Sequence, residues 1–150
     1  MASWAEFERA EPDMAASARQ LLYQFGPGLG YIATVRKDGG PRVHPCCPIV
    51  HDGMLWVFVL HASPKGKDLL RDGRYALHAF PKPDLDDEFY VSGTVRVIDD
   101  AATRAAVAAA TVANVGEPEE TLFALDLERA MLATYTHRPQ WPPAYRIWRA

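Results

Sequence analysis

The chain has 150 residues, of which 49% are hydrophobic and 23% charged, with a formal net charge of −3. That length reads as one domain, and the composition excludes a disordered chain or a fibrous repeat. The mild acidic balance, 16 Lys and Arg against 19 Asp and Glu, argues against a protein that coats nucleic acid or an anionic membrane.

In chain order, Ser3 and Glu6 stand at capping-box spacing and open a first short helix. Pro12 suits the first position of a second helix, expected over residues 12–25, in which Met14, Ala18, Leu21, Leu22 and Phe25 recur at helical spacing. Gly26-Pro27-Gly28 ends it. Leu29 to Val35 is rich in strand formers, and Lys37-Asp38-Gly39-Gly40 is a hairpin signal. Pro41 to Val50 returns as a strand made irregular by Pro45 and Pro48, each of which removes a ladder donor. Asp52-Gly53 is a tight-turn dipeptide. Met54 to Leu60 is apolar at every position, which predicts cover on both faces. That longest apolar run is far below the roughly 18 residues of a membrane span, and no basic-then-apolar stretch opens the chain, so a cytoplasmic location is expected.

Ser63 to Gly73 predicts a short helix with Ser63 as N-cap, Pro64 in its first turn and Gly73 past its end. Arg74 to Phe80 is a strand. Glu88 to Ile98 alternates, with Phe89, Val91, Val95 and Val97 on one face and Glu88, Tyr90, Ser92, Thr94 and Arg96 on the other. Asp99 or Asp100 can cap an Ala-rich helix running to about Ala113, and Asn114 to Glu120 is a loop. Thr121 to Thr136 reads as a strand with an irregularity near Leu127. Pro139, Pro142 and Pro143 mark a loop, and Tyr145 to Trp148 is a last strand. The elements together predict a mostly β fold, six to seven strands in an antiparallel barrel with peripheral helices.

Chemistry concentrates at Ser63 to Lys67. A helix N-terminus exposes free backbone N–H groups and partial positive charge. Lys65 and Lys67 add two cations to that first turn, where lysine is normally disfavoured, and a phosphate would compensate them. Arg42 lies on the strand that leads back toward this turn, where its guanidinium can reach the same anion. Cys46 and Cys47 are neighbours whose side chains point to opposite strand faces, so they read as reduced, buried thiols. His44 and Cys46 share a face but lack further ligands at suitable spacing, and no metal site is expected. His51, His61, His78 and His137 are scattered, and hydrogen-bonded or solvated imidazoles are expected. Trp141 and Trp148 are expected to pack in the core. Asp84 to Glu88 is an acidic loop in which Glu88 alone is placed near a site.

The ordered series Tyr31-Ile-Ala-Thr-Val, Asp38-Gly-Gly-Pro-Arg-Val-His-Pro45, Asp52-Gly-Met-Leu-Trp-Val-Phe58, Ser63-Pro-Lys65 and Leu69-Leu-Arg-Asp-Gly-Arg74 resembles the pyridoxamine 5'-phosphate oxidase-like FMN-binding split-barrel superfamily. Glu88 to Gly93, Val95-Arg96 and Tyr145 to Trp148 match its remaining strands, so the resemblance covers nearly the whole chain. It implies one FMN-binding split-barrel domain over residues 1–150 and a homodimer with FMN at the interface. Arg42 matches a strand arginine beside the flavin phosphate, and Val43 and His44 match the neighbours along the isoalloxazine. Phe58 and Val59 match the pair before the helix turn, Lys65 matches the phosphate-binding lysine, and Ser63 and Lys67 flank it.

Three departures stand out. Pro64 replaces the arginine of the oxidases' Ser-Arg-Lys turn, Glu88 stands where a glutamine commonly contacts the flavin ring, and the oxidases' C-terminal substrate arginine signature is not evident. The resemblance therefore implies a flavin-dependent oxidoreductase acting on an unassigned small molecule, with catalytic residues unassigned. Its alternatives are a reductase using the deazaflavin coenzyme F-420 and a non-catalytic flavin or haem carrier.

Overall fold

The computed structural model describes residues 1–135 and 142–150. His137, Pro139 and Trp141 lie outside the described residues. The chain opens on α1 (Trp4–Ala10), whose Ser3–Glu6 capping box is formed in both directions. Pro12 begins α2 (Pro12–Tyr23), which buries Met14, Ala15, Ala18, Leu21 and Leu22. The helix stops two residues short of the expected Phe25. Gly26 takes φ +102°, and the Leu29 amide returns to the Leu22 carbonyl.

β1 (Gly30–Val35) and β2 (Pro41–Cys46) form the expected hairpin. Pro48, which has no N–H to continue a ladder, divides the second expected strand, and β3 (Ile49–His51) turns through Asp52-Gly53, both at positive φ, into β4 (Met54–Leu60). α3 (Pro64–Arg71) leads to β5 (Arg74–Ala79) and then β6 (Glu88–Ile98). Asp100 caps α4 (Ala101–Ala109). This helix ends before Ala113, because Val107 is its only buried residue and Thr111 Oγ1 takes the Ala113 amide locally. β7 (Glu120–Thr134) and β8 (Ala144–Arg149) complete the sheet.

The strands form one antiparallel eight-stranded sheet in the order β2-β1-β5-β6-β7-β4-β3, with β8 also on β7. Two findings revise the expectation of six or seven strands in a barrel. Pro48 makes two strands of one, and the sheet is not closed, since β2 and β3 are its unjoined ends. β7 pairs β6 along its length, while its other edge pairs β4 through Leu125 and β8 from Arg129. The register slips at Ser92/Gly93, leaving Glu128 as the extra residue, which is the irregularity expected near Leu127. Between the two partners of that edge, Ala2 and Leu127 exchange backbone hydrogen bonds.

Leu55, Val57 and Val59 of β4 join the main core with Trp4, Phe7, Leu77, Phe89 and Phe123. Trp56 and Phe58 face a second core with Ile49, Val107 and Leu122. β4 is thus covered on both faces, as its sequence predicts. Each such side chain contributes about 1.5–3 kcal/mol on burial, which makes β4 a rigid base for the turn that follows it.

Candidate anion-binding site at the start of α3

At the end of β4 the Ser63 hydroxyl accepts the Gly66 amide and donates to the Leu60 carbonyl. A Cβ on Gly66 would lie 2.3 Å from the Leu60 carbonyl oxygen, so only glycine lets the first turn sit this close to β4. The Lys65 ammonium reaches across to the Pro45 carbonyl at 2.8 Å, tying the turn to edge strand β2. Lys67 is exposed.

Alternation places Arg42, His44 and Cys46 on the face of β2 that pairs with Thr34, Ile32 and Gly30. Asp68 projects from α3 into this corner with only 3% of its surface exposed. It accepts from Arg42 Nε at 2.7 Å, Thr34 Oγ1 at 2.9 Å and Arg71 at 3.1 Å. Arg71 also donates to the Val35 carbonyl, closing α3 onto β1. Burial pushes the Asp68 carboxyl up, but the Arg42, Thr34 and Arg71 hydrogen bonds outweigh it and hold the group below its usual value. The Arg42 edge away from Asp68 faces an open groove lined by Arg36, Lys37 and Asp38.

His44 completes the corner. Its Nε2 is buried without a partner. Burial first, then the Lys65 and Arg42 cations, hold its pKa below the usual value, so the ring is neutral at pH 7. Burial also pushes the Cys46 thiol up to about 12 and the Cys47 thiol upward, so neither is poised as a nucleophile.

Arg42 and Arg71 therefore hold one buried carboxylate in the first turns of α3, and Lys65 reaches across the same turn to β2. Arg42 and Lys65, with an unpartnered imidazole nitrogen beside them, could hold an oxyanion. The corner thus brings together Arg42, His44, Ser63 and Lys65, while Lys67 stands exposed on the same turn. Four other candidates are placed elsewhere within this chain. Val43 points to the opposite face of β2 and is 61% exposed. Phe58 and Val59 bury their side chains in the two cores, and Arg104 stacks 5.4 Å from the Phe58 ring. Glu88 lies three strands from β2, where it bonds His78 at 3.2 Å and the Tyr135 hydroxyl at 3.3 Å. Asp68 and Thr34 were not among the candidates. The signal for Asp68 was its place beside Leu69 on the buried face of an amphipathic helix, with Arg71 at i+3.

No curated protein matches the chain by sequence. The solved structures similar to it include a haem-binding protein from Mycobacterium smegmatis, at TM-score 0.68 and 17% identity over 89% of this chain and 57% of that one. The chain thus spans little more than half of that protein's length. A protein from Clostridium acetobutylicum related to general stress protein 26, of the pyridoxinephosphate oxidase family, matches at TM-score 0.66 and 13% identity, covering 89% of this chain and 92% of that one. The haem-storage protein of Vibrio cholerae matches at TM-score 0.60 and 12% identity, over 77% and 90%. These likenesses establish the fold. The family model described as pyridoxamine 5'-phosphate oxidase matches residues 17–148, a span running from α2 to β8 and containing the whole α3 corner. By that match and its split antiparallel sheet, the chain belongs to the pyridoxamine 5'-phosphate oxidase-like family.

Proposed function

We propose that the protein is a flavin-binding oxidoreductase that holds FMN by its phosphate at the start of α3. The observation that carries this reading is the convergence of Lys65, Arg42 and the unpartnered His44 Nε2 on one helix N-terminus. Lys65, with the one first-turn amide not taken by Ser63, binds the phosphate, Arg42 presents the guanidinium edge left free by Asp68, and Asp68 with Thr34 keeps that edge oriented. Bound flavin supplies hydride transfer, so the chain need only bind, orient and shape the substrate space.

The functional unit in this reading is a homodimer. Val43, Tyr31, Tyr145 and Ile147 leave exposed apolar surface on one sheet face, and a second copy there would also bring a Glu88 to the cofactor. No helix among the described residues is long and apolar enough to cross a membrane, and a cytoplasmic setting belongs to the same proposal.

Two other cofactors have one observation each. The groove beside Arg42, lined also by Arg36 and Lys37, suits the anionic tail of a deazaflavin. The two haem proteins among the structural neighbours favour haem, although both ring nitrogens of His78 are engaged, by the Ala79 carbonyl and Glu88. The absorption spectrum of protein reconstituted with each cofactor in turn separates the three. Stoichiometric uptake of FMN supports the proposal, and uptake of deazaflavin or haem with FMN left unbound overturns it.

A further inference from the structure

Ser17, Gln20, Leu21 and Gln24 recur at i, i+3, i+4 and i+7, which sets them on one face of α2 and its C-cap. Lys82, Leu85 and Asp87, from the loop between β5 and β6, close over that face and leave a cavity of about 210 Å³. This is several times the roughly 30 Å³ that one water occupies in the liquid. The Leu85 amide bonds the Lys82 carbonyl at 3.0 Å, and the Asp87 carboxylate accepts the Tyr135 amide at 2.8 Å, so the loop is tied at both ends. The lining residues belong neither to the α3 corner nor to the apolar set given above to a second copy.

The polar groups of this cavity are unmatched. Gln24 donates from Nε2 to the Phe80 carbonyl at 2.6 Å. That bond fixes the amide, because the reverse orientation would set two oxygens together. Gln24 Oε1 is therefore an acceptor, and it is buried without a partner. The Tyr135 amide takes one Asp87 oxygen, and among the described residues the other has no donor. Lys82 has no ion-pair partner among the described residues either, so an ammonium and a carboxylate line one cavity without pairing with each other. The last turn of α2 carries no basic residue, which leaves the negative end of its dipole uncompensated beside the same acceptors. Gln24 Oε1, Asp87 and the helix end together call for a cation with several N–H donors, and Lys82 calls for an anion. Leu21 and Leu85 supply an apolar wall.

We infer that this cavity binds a free α-amino acid with an aliphatic side chain. The α-ammonium brings N–H donors to Gln24 Oε1 and the Asp87 carboxylate, the α-carboxylate meets the Lys82 ammonium, and the side chain lies against Leu21 and Leu85. The inference goes beyond the flavin reading and does not depend on it, since none of these residues is assigned to the cofactor.

The test titrates the full chain calorimetrically with L-leucine, with N-acetyl-L-leucine, which lacks the ammonium, and with L-leucinamide, which lacks the carboxylate. L-Leucine binds saturably, and each derivative binds about tenfold or more weakly, the loss expected for one charge-assisted contact. L-Glutamate, with a charged side chain, also binds more weakly than L-leucine. Asp87→Asn keeps an acceptor for the Tyr135 amide and removes the charge, and it reduces the preference for L-leucine over N-acetyl-L-leucine. Lys82→Gln reduces the preference for L-leucine over L-leucinamide. This pairing of each variant with one derivative is a pattern that a merely loosened loop would not give. Lys82 is half-buried and holds no ion pair among the described residues, so Lys82→Gln keeps the test open if Asp87→Asn fails to fold. Absence of saturable L-leucine binding, equal affinity for L-leucine and either derivative or L-glutamate, or unchanged L-leucine affinity in Lys82→Gln would overturn the inference. FMN binding by a chain that does not take up L-leucine would remove this site and leave the flavin reading standing. L-Leucine binding without FMN binding would do the reverse.

Discussion

Asp68 is the residue on which the α3 corner turns. A buried carboxylate with three donors is stable only while all three are present, because its desolvation is offset by their hydrogen bonds. Asp68→Ala is expected to cost about 3 kcal/mol, the lower end for a buried pair, since Arg42 and Arg71 are partly exposed and regain water. The pH dependence has a defined sign. The folded carboxyl is held below its ordinary value of 3.8, so its contribution is complete above that pH and is lost as pH falls through the folded value. Urea unfolding of the wild type and Asp68→Ala from pH 7 down to pH 3 should show the stability difference shrinking only at the acid end. A difference that stayed constant over that range would mean the carboxylate charge is not what holds the corner.

Among the elements, α3 is legible from sequence because each device is local. Ser63 caps it, Pro64 starts it, Gly73 follows its end, and no distant residue is needed to see this. The same holds for the hairpins at Gly39 and Gly53 and for the irregularity in β7. Less was legible where the outcome depends on docking. Pro48 could bend one strand or divide it, and the division shows only in the pairing, β2 on β1 and β3 on β4. The buried face of α3 is marked at Asp68 by its neighbours Leu69 and Arg71, but its partners are not legible, and only the placement of α3 over Thr34 and Arg42 shows them. Phe58 and Val59 precede the turn as the family pattern has them, yet their side chains serve the cores. Gly66 tests whether α3 must lie this close to β4. Gly66→Ala gains about 1 kcal/mol of helix propensity but sets a Cβ 2.3 Å from the Leu60 oxygen and 3.1 Å from the His61 Cα, both backbone. Overpacking of that kind costs about 1–3 kcal/mol, so thermal unfolding should show net destabilisation, together with weaker FMN binding. A more stable variant with unchanged affinity would show that the turn has room to spare.

At the scale of the whole molecule, the open sheet leaves one face incompletely covered. Tyr31, Val43, Tyr145 and Ile147 are exposed on the face opposite the α1–α2 core. Isolated exposed apolar residues are ordinary, and the proposed homodimer takes this set on β1, β2 and β8 as its interface. Light scattering at micromolar concentration should therefore give twice the 16.7 kDa chain mass. A particle of 16.7 kDa would remove the second copy from the proposed cofactor site.

The phosphate contact is the most direct test of the flavin assignment. Lys65→Ala removes a charge-assisted interaction worth roughly 1.5–3 kcal/mol, which corresponds to about 10- to 150-fold weaker FMN binding. Riboflavin lacks the phosphate and should bind wild type and Lys65→Ala alike. Lys65 also holds the Pro45 carbonyl, and a loss caused by that tie alone would weaken both ligands equally. Fluorescence titration of both proteins with both ligands measures all four affinities. A selective loss for FMN is the predicted result, and unchanged FMN affinity, or an equal loss for riboflavin, would contradict phosphate binding at the start of α3.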